Sequence, residues 1–493
     1  MKEIENPPYA PSLLESMRSI GYSLESALAD LIDNSISAKA KKINIEYRPY
    51  DSTPYIAIID DGIGMSRDIL SNAMRHGSTN PCDVRALDDL GRYGLGMKTA
   101  SLSQCRKMTV ISLMKNGVLT AFCWDLDLIL SKQAWVMLEL DEPEIALIPH
   151  VEKLKEWGSG TIVLWQQLDK LAAGESSLIS AIGEKMDVAR KHLALVFHRF
   201  INHEYGHARI LISMNGLLLP AIDPFLSDHA ATQYLDEDSF KIDSHKITVK
   251  PYILPHISKL SPSAIEQAGG AAGIRSLQGF YIYRNRRLIM WGTWFRLAKK
   301  DELSKLARVR VDIPNTLDHL WTLDVKKSVA FPPEAVRINL RRTIDRIRSV
   351  SSRTIVFRGH NIAKGDITPG WLEVLNREGV RFDINRDHPL IKMFKQSLSK
   401  DQQSSFDSVL NAIENTFPAE ALYSRMASDI RAISNEENIE NKLQQMLISI
   451  FSTTEMDQTI KMNFLKNLHL IEPFNQNIEI TKKIVKEWES HGN

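Results

Sequence analysis

Apolar positions follow a helical period near the start of the chain and a strand-like pattern directly after it. The helical stripe begins after Ser23 and consists of Leu24, Ala27, Leu28, Leu31 and Ile32. Residues 43–47 alternate between apolar and polar side chains, and residues 55–59 are almost wholly apolar. Further strand-like runs cover residues 110–113, 120–124 and 161–165. This order predicts an α+β domain, which we place at residues 1–175.

A second strand-rich region follows a helical segment at about residues 175–200. Residues 208–214 form a strand-like run that enters an Asn215-Gly216 turn, and residues 279–290 read as another hairpin. We therefore expect a second α/β domain at residues 176–335.

The two ends of the chain are predicted to be helical. Ser12 followed by Glu15 is a capping-box pattern, which indicates a helix that starts at Ser12. Residues 336–493 carry amphipathic helical stretches with a short break at residues 368–370. They are expected to form a helical C-terminal region.

Composition narrows the class of protein without identifying it. A chain of 493 residues is expected to form about two to four domains. Its 61 basic and 60 acidic residues nearly cancel, so charge alone selects neither nucleic acid nor protein as a partner. The three cysteines form no CxxC pair, which argues against a zinc site. The N-terminus lacks an apolar signal-peptide core and no long apolar run appears, so we expect a cytoplasmic protein.

The first candidate for chemistry is the polar side of the helix after Ser23. Asp30 and Asn34 are four residues apart and therefore lie on one helical face, and Asp33 and Ser37 are expected on the same polar side. A carboxylate can activate water, and oxygen donors suit a hard cation. The alternative is an ordinary amphipathic helix with a solvated face.

The second candidate directly follows the apolar strand at residues 55–59. A carboxylate at a strand end, here Asp60, can accept a hydrogen bond from the exocyclic amine of adenine. Gly62 and Gly64 let the backbone pass close beneath a base. An acidic turn without a ligand is the competing interpretation.

The third candidate is a glycine-rich loop before a helix. Gly91, Gly94 and Gly96 would present backbone N–H groups to phosphates, and Lys98 adds a positive charge. The spacing is neither a Walker A loop nor a dinucleotide-binding fingerprint.

These elements, in this order, resemble the N, G1 and G2 boxes of the gyrase/heat-shock/histidine-kinase/MutL (GHKL) ATPase superfamily. Gly160-Thr161 before an apolar strand resembles the last element of that pocket, and residues 90–101 look most like the MORC branch and its prokaryotic relatives. The resemblance implies a Bergerat-type ATPase sandwich, a transducer-like α/β domain and binding of ATP and Mg2+. Histidine kinases share the pocket but lack a transducer, so a histidine kinase is not the function that we expect.

The resemblance also implies a role for each matching residue. Asn34 would bind magnesium, and Asp30 would be the general base, where many members carry glutamate, so that slow hydrolysis is expected. Asp60 would bind adenine. The rest of the pocket would be formed by Gly62, Gly64, Met65, Gly91, Gly94, Leu95, Gly96, Met97, Lys98 and Thr161. Residues 66–96 would form the lid, and Lys326 or Lys327 would contact the γ-phosphate.

Relatives with a transducer use ATP to close a dimer, and the resemblance therefore implies an ATP-dependent homodimer. A DNA client is indicated by two basic clusters. The first contains Arg284, Arg286, Arg287, Arg296, Lys299 and Lys300 with Tyr283, Trp291 and Trp294, and the second contains Arg337, Arg341, Arg342, Arg346 and Arg348. Surface ion pairs explain such clusters equally well. The prokaryotic relatives imply a nuclease or other anti-phage defence subunit as a partner, and a protein-remodelling chaperone is the alternative function.

Overall fold

The structure is a computed structural model, and the parts of the chain that it describes fall into two units. Unit 1 is Met1–Arg358 and unit 2 is Gly359–Asn493. The described residues are 8–19, 21–75, 90, 96–175, 177–301, 304–318, 320–321, 332–356, 368–376, 379–418, 439–453 and 458–490.

The first sheet of unit 1 has eight strands in the order β5-β4-β3-β6-β2-β1-β7-β8. The strands are β1 (Lys42–Arg48), β2 (Tyr55–Asp60), β3 (Lys107–Leu113), β4 (Thr120–Asp125), β5 (Leu138–Glu139), β6 (Gly160–Gln166), β7 (Leu211–Met214) and β8 (Leu217–Leu218). Neighbouring strands are antiparallel except β1 and β7, which run parallel.

Helices cover both faces of this sheet. They are α1 (Ala10–Arg18), α2 (Leu24–Ser37), α3 (Arg67–Met74), α4 (Gly96–Leu102), α5 (Leu126–Lys132), α6 (Glu142–Ala146), α7 (Val151–Trp157), α8 (Asp169–Ala172), α9 (Leu178–Val196) and α10 (His198–Ile201). In β2, Ile56 and Ile58 join the core under α2 and α9, while Ala57 and Ile59 join a separate core with α6 and α7. Because successive strand residues face opposite sides, burial on both faces explains the continuous apolar run.

A second sheet of unit 1 has the strand order β10-β11-β14-β12-β13, and β9 pairs with β11. Its elements are β9 (Gln233–Tyr234), β10 (Asp238–Ile242), β11 (His245–Ile253), α11 (Pro262–Gln267), α12 (Gly270–Ser276), β12 (Gly279–Arg284), β13 (Arg287–Thr293), β14 (Ala307–Ile313) and α13 (Glu334–Val356). The apolar stripe of α13 packs into the core of this sheet through Val336, Leu340, Ile344 and Ile347.

Unit 2 is largely helical. It contains the hairpin β15 (Trp371–Asn376) and β16 (Gly379–Ile384), then α14 (Pro389–Gln396), α15 (Lys400–Asn415) and the helices Ile439–Thr453, Gln458–Asn467 and Ile478–Ser490. Leu443, Leu447, Phe464, Phe474 and Ile484 lie in its core. Across the described residues, no helix combines the length and the apolar character needed to cross a membrane.

The predicted fold class is confirmed: the chain is α+β, with an N-terminal sheet covered by helices on both faces and a largely helical C-terminal region. Two local expectations were wrong. The strand before Asn215-Gly216 belongs to the first sheet, because β7 pairs in parallel with β1. Helix α1 begins at Ala10 after Tyr9, with a proline in its first turn and no side-chain cap. The C-terminal region also contains the hairpin β15–β16, which the helical pattern did not indicate.

Candidate functional site

Three polar side chains lie side by side at the ends of adjacent strands of the first sheet. Asp60 at the end of β2 pairs with Thr161 on β6, and Thr161 pairs with Ser112 on β3. Ser112 Oγ lies 2.9 Å from Thr161 Oγ1 and donates a hydrogen bond of 3.0 Å to Gly160 O. Sequence analysis missed Ser112, although it is a polar residue inside the apolar run 110–113.

The Asp60 carboxylate is buried, with 6% of the residue exposed. Oδ1 accepts the N–H of Gly62 at 2.9 Å, and Oδ2 accepts the hydroxyl of Ser35 at 2.8 Å. Burial raises the pKa of Asp60 to about 6, partly offset by these hydrogen bonds. At neutral pH the carboxylate is therefore mostly ionised and able to accept a further hydrogen bond.

The turn after Asp60 lies against the edge of the sheet. Gly64 has φ +68°, and a Cβ placed there would come within 1.9 Å of Leu113 O. A Cβ on Gly62 would lie 2.8 Å from Asp60 Oδ1. The next residue, Met65, donates its N–H to Ser112 Oγ at 2.9 Å. Only glycine permits this close approach of the turn to β3.

Helix α2 brings a carboxylate and an amide to the same region. Ser23 caps the helix by accepting Ser26 N–H at 3.4 Å. Asp30 is 9% exposed, and Tyr22 donates its hydroxyl to Asp30 Oδ2 at 3.1 Å. Asn34, one turn further on, is exposed. The tyrosine was not among the predicted site residues, because no sequence spacing connects it to Asp30.

The start of α4 adjoins Asp30. A Cβ on Gly96 would lie 3.7 Å from Asp30 Oδ2. The last glycine of the predicted loop therefore lies next to the residue predicted to be the general base. Met97 is half-buried against the first core. Lys98 is 1% exposed and donates to Ala73 O at 3.0 Å and Arg75 O at 2.6 Å. Burial lowers the pKa of Lys98 to about 8. Its ammonium thus joins α4 to the end of α3, and its contact with phosphates stays a prediction.

Comparison with known proteins identifies this arrangement. Residues 22–161 match the family model for the histidine kinase-, DNA gyrase B- and HSP90-like ATPases. Residues 22–161 form a GHKL ATPase domain. The match includes α2, the Asp60 turn, Ser112 and Thr161, and it confirms the resemblance inferred from the three motifs.

Two curated relatives share part of this GHKL domain. The chain is 28% identical to ATPase morc-1 of Caenorhabditis elegans over 120 residues, which are 24% of this chain and 14% of that protein. It is 32% identical to the DNA mismatch repair protein MutL of Buchnera aphidicola over 111 residues, which are 22% of this chain and 19% of that protein. The chain thus matches less than a fifth of the length of either relative.

Several predicted residues of the GHKL site lie outside the described part of the chain. They are Gly91, Gly94, Leu95, Lys326 and Lys327. Of the predicted lid, the structure describes residues 66–75, Leu90 and Gly96. Leu90 is buried, and its N–H donates to Ser37 Oγ at 3.3 Å, so the residue before the loop is attached to the end of α2.

One predicted polar residue of α2 is not on the solvated face. Asp33 was expected beside Ser37, but it is 2% exposed and forms an ion pair with Arg287 of β13 at 3.1 Å. Both Asp33 oxygens accept from Arg287 Nε. A buried charge needs such a partner, and the partner here comes from the second sheet.

The first predicted basic cluster is divided between buried and exposed residues. Arg284 and Arg287 are buried, Arg286 pairs with Glu204, and Tyr283 and Trp294 are also buried. Arg296, Lys299 and Lys300 of the same cluster are exposed, and contact of these three residues with DNA stays a prediction.

The second predicted cluster lies on α13 and is more open. Arg337, Arg341 and Arg342 are exposed, whereas Arg346 pairs with Asp238 at 2.7 Å. The side chain of Arg348 lies outside what the structure describes.

Proposed function

We propose that this chain binds Mg-ATP in the GHKL domain, hydrolyses it slowly and uses it to close a homodimeric clamp on DNA. The observation that supports this most is the buried Asp60, which lies between Ser35 of α2 and the Thr161–Ser112 pair at the strand ends. A buried, ionised carboxylate is suited to accept a hydrogen bond from the exocyclic amine of adenine. Gly64 lets the neighbouring turn lie directly against the backbone of Leu113, which a Cβ at this position would meet at 1.9 Å.

Asp30 is the proposed general base. The helix places it one turn before Asn34, and Tyr22 fixes one of its oxygens with a hydrogen bond. In this role the Asp30 carboxylate would accept a proton from water that attacks the terminal phosphate. Asp30 also lies beside Gly96, where the predicted phosphate loop enters α4.

Asn34 is the proposed magnesium ligand. Its exposed amide offers one oxygen, and no group of three or more His, Cys, Asp or Glu residues suited to a metal occurs among the described residues. This donor set fits Mg2+ that is bound mainly through substrate phosphates and water, as the ion commonly is in nucleotide sites. The ion would neutralise phosphate charge during hydrolysis.

DNA is the proposed client. Support comes from the exposed arginines of α13 and from partial similarity to ATPase morc-1 and to the DNA mismatch repair protein MutL. Exposed guanidinium groups on one helix suit phosphate contacts without sequence preference. A role beside a nuclease in prokaryotic defence rests on the resemblance to prokaryotic MORC-like proteins.

The decisive experiment is steady-state ATP hydrolysis with and without plasmid DNA, with Asn34→Ala as the blank. Stimulation by DNA that disappears in Asn34→Ala supports the clamp. Hydrolysis that is unchanged by DNA would instead favour a protein-remodelling ATPase. Absence of ATP binding would overturn the proposal. Light scattering with ADP and with a non-hydrolysable ATP analogue tests the dimer, which should form only with the analogue.

A further inference from the structure

The tip of the β12–β13 hairpin carries three arginines that reach out of the second sheet. Asn285 and Arg286 both have positive φ values, 47° and 71°, and form a two-residue turn between Arg284 and Arg287. From this tight turn Arg284 and Arg287 contact residues of the GHKL domain, whereas Arg286 contacts Glu204 and Phe200. We call residues 284–287 the arginine tip.

Arg284 contacts the residue that precedes the predicted phosphate loop. Its Nη1 donates to Leu90 O at 2.9 Å, and the rest of its guanidinium is held by Asp318 at 2.7–2.9 Å. Leu90 N–H is held by Ser37 of α2. Leu90, which immediately precedes Gly91 in the sequence, is therefore held between helix α2 and the second sheet.

Arg287 contacts helix α2 directly. Its buried ion pair with Asp33 involves the residue next to Asn34 and three residues after Asp30. The guanidinium carbon also lies 5.6 Å from the centre of the Phe197 ring. A buried bonded pair fixes the position of α2 relative to β13, because neither charge can leave without the other.

Arg286 differs from its neighbours. It donates to Glu204 Oε2 at 2.8 Å, and its guanidinium carbon lies 4.6 Å from the centre of the Phe200 ring of α10. These contacts involve α10 and the segment after it, not α2 or Leu90. Arg286 is thus a matched control on the same turn.

We infer that the arginine tip is a positioning element, through Arg284 and Arg287, that transmits the nucleotide state of the GHKL site to the second sheet. The inference rests on the proposed function. ATP contacts with α2 would change the two attachment points of the tip together, because Asp33 lies on α2 and Leu90 is bonded to Ser37 at its end. ADP, which lacks the terminal phosphate, would engage them less.

Amide hydrogen exchange on the full chain tests this, without nucleotide, with ADP and with a non-hydrolysable ATP analogue. In the wild type the analogue should slow exchange at least fivefold both at residues 60–65 and in the hairpin 279–293, and ADP should protect the hairpin less. Arg284→Met should keep the protection of residues 60–65 and lose that of the hairpin. Arg286→Met should keep both.

Arg287→Met alone would remove the cation that balances the buried Asp33 carboxylate, so the double variant Asp33→Asn/Arg287→Met is used to preserve folding. It should behave like Arg284→Met. Arg284→Lys, which retains a cation, should restore part of the hairpin protection. In ATP hydrolysis assays, Arg284→Met and the double variant should each lower kcat at least tenfold and change KM less than threefold.

The outcomes separate the two proposals. If the analogue protects neither region of the wild type, the proposed function fails and this inference fails with it. If residues 60–65 are protected but the hairpin is not, the proposed function stands and the inference is overturned. Hairpin protection that persists in both Arg284→Met and the double variant also overturns it.

Discussion

Ser35 on α2 donates its hydroxyl to Asp60 Oδ2 at 2.8 Å, so the helix that carries Asp30 and Asn34 is bonded directly to the proposed adenine acceptor. The bond is buried. In a buried site a hydrogen bond to a charged group is stronger than one in water. The residue proposed to bind adenine and the residues proposed to act at the phosphates are therefore connected rigidly through α2 and the Ser35–Asp60 hydrogen bond.

Replacement of Asp60 by asparagine should weaken ATP binding at least tenfold at pH 7.5. Asparagine has one side-chain oxygen, which would accept Gly62 N–H as Asp60 Oδ1 does now. The NH2 group of asparagine then takes the place of Asp60 Oδ2. It is a hydrogen-bond donor, as the exocyclic amine of adenine is, so the two groups cannot bond to each other. Isothermal titration with ATP measures the change. Equal affinity for wild type and Asp60→Asn would exclude Asp60 as the adenine acceptor.

The raised pKa of Asp60 predicts a particular pH dependence of stability. The folded value is about 6 and the unfolded value is 3.8, so the neutral carboxyl favours folding below pH 3.8. That contribution, about 3 kcal/mol, is lost as the pH rises from 3.8 to 6. Urea unfolding of nucleotide-free protein should show this loss in the wild type relative to Asp60→Asn. If the free energy of unfolding varied with pH in the same way for the wild type and for Asp60→Asn, the predicted contribution of Asp60 would be contradicted.

Gly64→Ala should abolish ATP binding, whereas Gly158→Ala should not. Both glycines have positive φ, +68° and +77°, so both substitutions carry a backbone cost of about 1–3 kcal/mol. A Cβ added to Gly64 would also come within 1.9 Å of Leu113 O, while nothing lies within 4 Å of a Cβ added to Gly158. Thermal unfolding and ATP titration of both variants separate strain from steric exclusion. ATP binding by Gly64→Ala equal to that of Gly158→Ala would show that the turn has other room to move.

The local part of the site could be predicted from the sequence. Helix α2, the strand end at Asp60 and Thr161 follow from spacing within short segments and from hydrophobic period. Their roles came from the resemblance to GHKL proteins. Ser112 depended on strand register, which no single segment determines.

Contacts between distant segments could not be predicted. Asp33 and Arg287 are 254 residues apart, and each looked like a surface charge in its own segment. The same limit explains β7, whose strand-like run and Asn215-Gly216 turn fit a hairpin in either sheet. A polar residue on an amphipathic helix is usually solvated, and only the tertiary partner shows the exception.

Asp30→Asn should leave ATP affinity within about threefold of the wild type while hydrolysis falls by about 10²–10⁴-fold, the usual contribution of a general base. The amide keeps the size of the carboxyl and an oxygen for the Tyr22 hydroxyl but cannot accept a proton. Single-turnover hydrolysis with excess enzyme measures the chemical step. Tyr22→Phe removes only the orienting hydrogen bond and should have a smaller effect than Asp30→Asn. Full activity of Asp30→Asn would require another base.

The exposed face of α13 yields the last prediction, which concerns salt dependence. Arg337→Glu/Arg341→Glu reverses two exposed charges one turn apart, while the apolar face that includes Val336 and Leu340 stays buried. If both arginines contact phosphates, the slope of log affinity for plasmid DNA against log salt should fall by about 0.9 per lost contact. Lys132→Glu/Lys155→Glu makes the same change of charge at two exposed positions of α5 and α7, and is the control. Equal slopes for the two double variants would mean that net charge, rather than this helix, governs DNA binding. A smaller slope only for the α13 variant would assign the phosphate contacts to α13, because overall charge is identical in the two proteins.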